Sequence, residues 1–146
     1  VKIFTFILVT IIILITIIFL KINDEKKNIL IAEKYIQAGI FLTSNKSDEA
    51  KQIYEEIIFS KNKFYSILSL NTILEKNLIS DKNKILEYFN ILEKIISNKN
   101  NKDLIMLKKA LYLIKESNTQ EGRNLLKNLI ENNSNLKIIA QEFLEN

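Results

Sequence analysis

Residues 3–20 read IFTFILVTIIILITIIFL, an unbroken apolar run between Lys2 and Lys21. Its only polar side chains are threonines, whose hydroxyls can bond back to a helix carbonyl. At about 1.5 Å per residue the run makes roughly 27 Å of helix, close to the hydrocarbon thickness of a bilayer. A secretory signal would have a shorter apolar core and a small-x-small cleavage site, and here IIFLKINDEKK follows. A buried core helix would keep a polar stripe. The expectation is an uncleaved transmembrane anchor over residues 1–22.

The remainder is long enough for one domain with its own core. The chain has no Cys, His, Pro or Trp, and Gly39 and Gly122 are its only glycines. Without cysteine there is neither a disulfide framework nor a thiolate site. Without histidine the commonest metal ligand and general base are missing. No catalytic residue, cofactor or metal is expected. The net charge of +4 is nearly all lysine, scattered beside acids, with Arg123 the one arginine. That pattern makes a solvated surface; nucleic-acid binding favours clustered basic residues.

After the anchor, residues 23–27 read as a short polar juxtamembrane linker. Lys21, Lys26 and Lys27 suit headgroup contact or ordinary snorkelling. From Asn28 on, weak strand alternation and the lack of Pro and Gly argue for helix throughout. Asn and Ser supply the punctuation, since Asn tolerates the left-handed conformation that ends helices. Helices are expected at 28–43, 47–60, 63–76, 81–97, 102–116, 119–132 and 135–145. Ser47, Asp81 and Asn118 are candidate N-caps, the last with Glu121 completing a capping box.

The helix faces alternate. Those at 47–60, 81–97 and 119–132 carry one apolar stripe, while 28–43, 63–76 and 102–116 are apolar over most of their circumference and need cover on several sides. Stacked helical hairpins produce this alternation, and a simple four-helix bundle does not. Hairpins start near 28, 63 and 102, close to the period of tetratricopeptide repeats. Ala38 and Ala50 are twelve residues apart, followed by Tyr54 and Ile57; Ala110 and Gly122 repeat the spacing, followed by Leu126 and Leu129. Small side chains let two helices approach closely. The middle unit departs from this, with Lys84 where a small residue is expected. The reading is an all-α domain over residues 28–146, a tetratricopeptide-like stack of helical hairpins.

With the apolar anchor come AEKYIQAG, SDEAKQIYEEII, FYSILSLNTIL, DLIMLKKALYLI and NLKIIAQEFL. In that order they resemble the YfgM-like family of bacterial membrane-anchored tetratricopeptide proteins. The resemblance implies a non-enzymatic, single-pass inner-membrane protein with its repeats in the periplasm. Its partners would be the SecYEG translocon and the periplasmic chaperone PpiD. Members usually run on into a further repeat, and the missing initiator Met suggests a missing N-terminal lead. Lysines after the anchor outnumber Lys2 before it, which by the positive-inside rule favours a cytoplasmic domain. The resemblance favours the periplasm, and that is the expectation adopted.

Binding is expected in the hollow of the stack, lined by the first helix of each hairpin. By repeat position Tyr35, Leu42, Leu107 and Leu111 are its candidate lining, though each also suits packing on a neighbouring hairpin. Apolar residues there fit unfolded segments or a partner helix. The carboxylate neighbours Asp48-Glu49 and Glu55-Glu56 lie on the polar face of a helix and are expected to be solvated. The rival readings are a structural scaffold of an envelope complex, self-associating through the anchor, and a cytoplasm-facing adaptor.

Overall fold

The computed structural model describes residues 2–145, with side chains from residue 11 onward. The described residues are all-α, in seven helices: α1 (Lys2–Thr43), α2 (Ser47–Phe59), α3 (Lys63–Glu75), α4 (Lys82–Ile95), α5 (Lys99–Lys115), α6 (Thr119–Glu131) and α7 (Lys137–Glu145). The expected linker does not interrupt α1, which runs through residues 23–27 as helix. Asn and Asp inside a helix cost a few tenths of a kcal/mol each. Stopping and renucleating costs more, and no Gly or Pro forces a stop. The span expected at Ile3–Leu20 lies partly outside the residues whose side chains are described. Among the described residues no helix is long and apolar enough to cross a membrane.

The helix ends follow local chemistry. Asn45, Lys61, Asn77, Ser117 and Asn133 take positive φ at the ends of α1, α2, α3, α5 and α6. At four of them two amides turn back to satisfy the last carbonyls: Lys46 N–H donates to Phe41 O, Leu78 to Ile73, Asn118 to Leu113 and Ser134 to Leu129. The Asn punctuation therefore acts through the left-handed conformation, and Lys61 and Ser117 adopt it without the usual residue type. Asp81 caps α4, its carboxylate accepting from the amides of Asn83 and Lys84. Asn62 and Asn98 cap α3 and α5 in the same way, and the second of these starts α5 three residues before the expected 102.

Two expected caps do not form. Ser47 lies inside α2, behind Lys46 at the cap position. Asn118 precedes α6 but makes no side-chain cap bond. Its own amide, which a capping box would offer to Glu121, is already given to Leu113 O. Its Nδ2 donates to Glu121 instead.

Consecutive helices pack, most closely α1 on α2 and α5 on α6. In addition α1 touches α3, and α2 touches α4, as stacking of successive hairpins requires. The repeat is written in the polar contacts. Asn62 Nδ2 donates to Asn28 Oδ1, Tyr88 hydroxyl to Glu55, Lys82 to Glu116 O, Lys99 to Asn132 O and Asn135 to Asn100. Every one of these joins residues 33–35 positions apart.

Ala38, Ala50, Ala110 and Gly122 are all buried, with Tyr54, Ile57, Leu126 and Leu129 beside them. A Cβ on Gly122 would lie 2.6 Å from Ile114 Cγ1 and 2.7 Å from Ala110 O, so α6 rests against the α5 backbone. Gly39 has no such constraint; its nearest neighbour would be the Tyr54 hydroxyl at 4.0 Å. Two apolar cores result, one joining α1 to α4 and Ile105, the other joining α5, α6 and α7. The broad apolar faces of α3 and α5 are largely covered, with Phe64 on α3 left exposed. That of α1 is not: Ile29, Leu30, Ile36 and Ile40 remain exposed, because α2 and α3 lie on one side of it only.

Candidate functional site

The middle hairpin opens the site. Its connection, residues 76–81, is twice the length of the three-residue turns 44–46 and 116–118. Its helices touch far less closely than those of the outer hairpins. Tyr88 and Phe89, both fully buried, are the bulk that stands between α4 and its neighbours. Lys84 occupies the small-residue position and reaches Glu55 on α2. No packing like that of α1 on α3 joins α3 to α5.

The resulting groove has a volume of about 490 Å³. Ile73 and Leu74 from α3, Ile79 from the long connection, and Leu111 and Tyr112 from α5 give it an apolar lining. Lys108, Lys115, Asn77, Ser80 and Glu116 form the rim. Lys108, Leu111, Tyr112 and Lys115 follow i, i+3, i+4, i+7 spacing, so one stripe of α5 presents two apolar side chains between two ammonium groups. Neither lysine forms a hydrogen bond or ion pair with another described residue. Burial, followed by the charges of Glu116 and Asp81, holds the Tyr112 phenol above the ordinary tyrosine range, so it stays a neutral donor and acceptor.

The four residues expected to line one hollow are divided. Leu111 lines the groove. Leu42 lines a second hollow of about 450 Å³ with Gly39, Thr43, Ser47, Lys76 and Leu78, on the other side of the α3 C-terminal turn. Tyr35 packs inward: its ring meets Tyr54 and Tyr65 at 5.5 and 5.7 Å, and its hydroxyl lies 3.3 Å from Thr72 Oγ1. Leu107 is buried in the second core. Lys108, Tyr112 and Lys115 were missed, although their helical spacing with Leu111 is readable in the sequence.

Asp48, Glu49 and Glu56 are exposed, as solvated surface acids are. Glu55 is a correction: its side chain is only 15% exposed, ion-paired to Lys84 and accepting from the Tyr88 hydroxyl at 2.7 Å. Burial first, then the hydrogen bond to Glu55 and its charge, raise the Tyr88 phenol far above its ordinary range. Glu56 pairs with Lys34, and Asp48 with Lys51. The Glu55 and Glu56 contacts join α2 to α4 and to α1, while Asp48 and Lys51 pair within α2. Among the described residues no cluster of His, Cys, Asp or Glu could hold a metal ion. Comparison with protein-family models, with curated proteins and with solved structures finds no match to this chain.

Proposed function

We propose that this chain is a non-enzymatic, membrane-tethered protein-interaction module, built as a tetratricopeptide-like stack of helical hairpins. The observation that carries the proposal is the α3–α5 groove, an apolar lining between two lysines with no partner of their own. Such a site suits a segment whose apolar side chains are flanked by carboxylates: burial supplies affinity, and the ammonium groups select the charge. The contacts 33–35 residues apart support the repeat architecture. The apolar run Ile3–Leu20 supports the tether, which would hold the groove at high effective concentration beside membrane partners. The resemblance to the YfgM-like family supplies the context proposed here: an ancillary role in export and periplasmic folding at the bacterial inner membrane, beside the translocon and a chaperone.

Binding of a labelled peptide of alternating leucine and glutamate to the full chain, followed by fluorescence anisotropy, tests the groove. Saturable binding is expected, with Leu111→Asp abolishing it and Lys108→Glu/Lys115→Glu weakening it and reducing its salt sensitivity. Equal binding to an all-polar or basic peptide, or indifference to these substitutions, rejects the reading. A compartment-sensitive reporter fused after Asn146 tests sidedness. A cytoplasmic signal replaces the export role with that of a cytoplasm-facing adaptor.

A further inference from the structure

Connectivity gives the stack two edges. α1 leads away from the apolar run, α2 returns, and the α2–α3 turn comes back level with Asn28, whose Oδ1 accepts from Asn62 Nδ2 at 2.7 Å. Alternation carries the α4–α5 and α6–α7 connections to the same, near edge. Packing of α2 on α4, and the contacts of Lys99 with Asn132 and of Asn135 with Asn100, join neighbouring connections along it.

The edges differ in charge. Residues 60–64, 96–100 and 132–138 of the near edge carry Lys61, Lys63, Lys99 and Lys137 and no acid. All four lysines are exposed, and none is ion-paired with a described residue. The matching stretches of the far edge, residues 44–48, 76–83 and 116–120, set Lys46, Lys76 and Lys82 against Asp48, Asp81 and Glu116. The edges differ in apolar surface too. Among the described residues outside α1, the exposed large hydrophobic side chains are Phe59, Phe64, Ile138, Ile139 and Phe143. The first four border near-edge connections, and none borders a far-edge connection. Where the near edge meets α1, a hollow of about 770 Å³ opens between Lys27 and Leu30 and the side chains of Lys61, Lys63 and Phe64, with Asp24 its one acid.

We propose that the near edge lies on the surface of the bilayer that holds the apolar run, with its lysines on anionic lipid headgroups. The proposal rests on the tether reading. Asn28 is eight residues past Leu20, about 12 Å along a helix, and the headgroup layer takes up about half of that. The remainder is within reach of a lysine stem and within the Debye length of about 8 Å at physiological salt. Anionic lipid attracts lysines held at its surface, and apolar side chains among them add burial at the interface. The far edge, with balanced charge and no exposed apolar side chain at its connections, has neither pull. Docking this way has a consequence for binding. The groove is built from the ends of α3 and α5 and from the connection between α3 and α4, so it opens on the far edge, away from the lipid.

The chain contains no cysteine, so one fluorophore can be placed at a chosen site of the full chain. Ser97→Cys labels the near edge and Thr119→Cys the far edge, both at exposed positions. In vesicles containing phosphatidylglycerol, a headgroup-quencher lipid should quench the Ser97→Cys label several-fold more than the Thr119→Cys label. The difference should be lost in pure phosphatidylcholine vesicles, and in the Lys61→Glu/Lys63→Glu/Lys137→Glu chain with its helix content unchanged. Flotation with phosphatidylcholine vesicles reads the tether alone. A chain that floats there, yet is quenched equally at both sites in phosphatidylglycerol vesicles, keeps the tether and overturns the proposal. A chain that does not float there, yet binds phosphatidylglycerol vesicles with the Ser97→Cys label quenched, loses the tether and keeps the basic edge. Undiminished quenching of the triple variant overturns the proposal, as does tighter binding to a DNA duplex than to phosphatidylglycerol vesicles at the same salt.

Discussion

The outer hairpins, α1/α2 and α5/α6, and the middle hairpin, α3/α4, solve the same packing problem with different side chains. The outer pairs place Ala38 and Ala50, or Ala110 and Gly122, at the crossing, and the helices close on each other. The middle pair has Ser66 and Ser69 on one helix and Lys84 with Tyr88 and Phe89 on the other, and it stays apart. The looseness is compensated sideways. Glu55 on α2 receives both Lys84 and the Tyr88 hydroxyl, tying α4 to the preceding hairpin. A departure from the repeat therefore has a structural consequence: the hairpin that packs least tightly within itself borders the groove.

The largest effect should come from breaking a tight crossing. Gly122→Val places methyl groups where a Cβ alone already meets Ala110 O at 2.7 Å. A loss of about 3 kcal/mol is expected in urea unfolding, and an unchanged midpoint would mean that α6 does not rest on α5 as described. In the middle hairpin, Lys84→Ala restores the small residue of the outer pairs. If Lys84 were only a defect, stability would rise. Because it partners a mostly buried Glu55, a loss of about 1 kcal/mol is expected instead.

Tyr88→Phe should cost about 1 kcal/mol at neutral pH by removing one of the two partners of Glu55. Its pH signature is more diagnostic. A phenol raised above the ordinary value of 10.0 in the folded chain stays protonated there while the unfolded chain ionises. Its contribution is thus complete below pH 10 and is lost as the pH rises above it. Tyr54 and Tyr112 are raised too and add to the same alkaline loss. Tyr88→Phe should make the fall in melting temperature above pH 10 shallower, and an unaltered slope would sink the Tyr88–Glu55 assignment. The smallest effect is a gain. Gly39→Ala adds a methyl at ordinary contact distance, 4.0 Å, from the Tyr54 hydroxyl and should stabilise α1 by about 0.5–1 kcal/mol. Set against the loss at Gly122, it separates a glycine required by packing from one that is not.

The residues that were read correctly act locally or at fixed offsets. The Asn positions at helix ends, the cap at Asp81 and the twelve-residue spacing of small side chains needed no knowledge of distant partners. Errors arose where two local rules competed. Asn118 could not complete a capping box because its amide closes the preceding helix. Residues 23–27 read as a polar linker, yet the missing Gly and Pro let α1 continue through them. Glu55 looked solvated because its partners are 29 and 33 residues away. Tyr35 and Leu107 occupy inward faces of helices that are apolar nearly all round, where periodicity assigns no direction.

The sequence by itself determined that this chain is helical, where most helices stop, that two hairpins close on small residues and that an apolar run precedes them. These follow from backbone preferences and from side chains at set spacings along one helix or across one turn. Only the tertiary structure decided that the middle hairpin opens a groove between α3 and α5, that Glu55 joins successive hairpins, and that Ile29, Leu30, Ile36 and Ile40 of α1 are left exposed. Each of these depends on which helix lies beside which, and that is settled by packing between residues a full repeat apart.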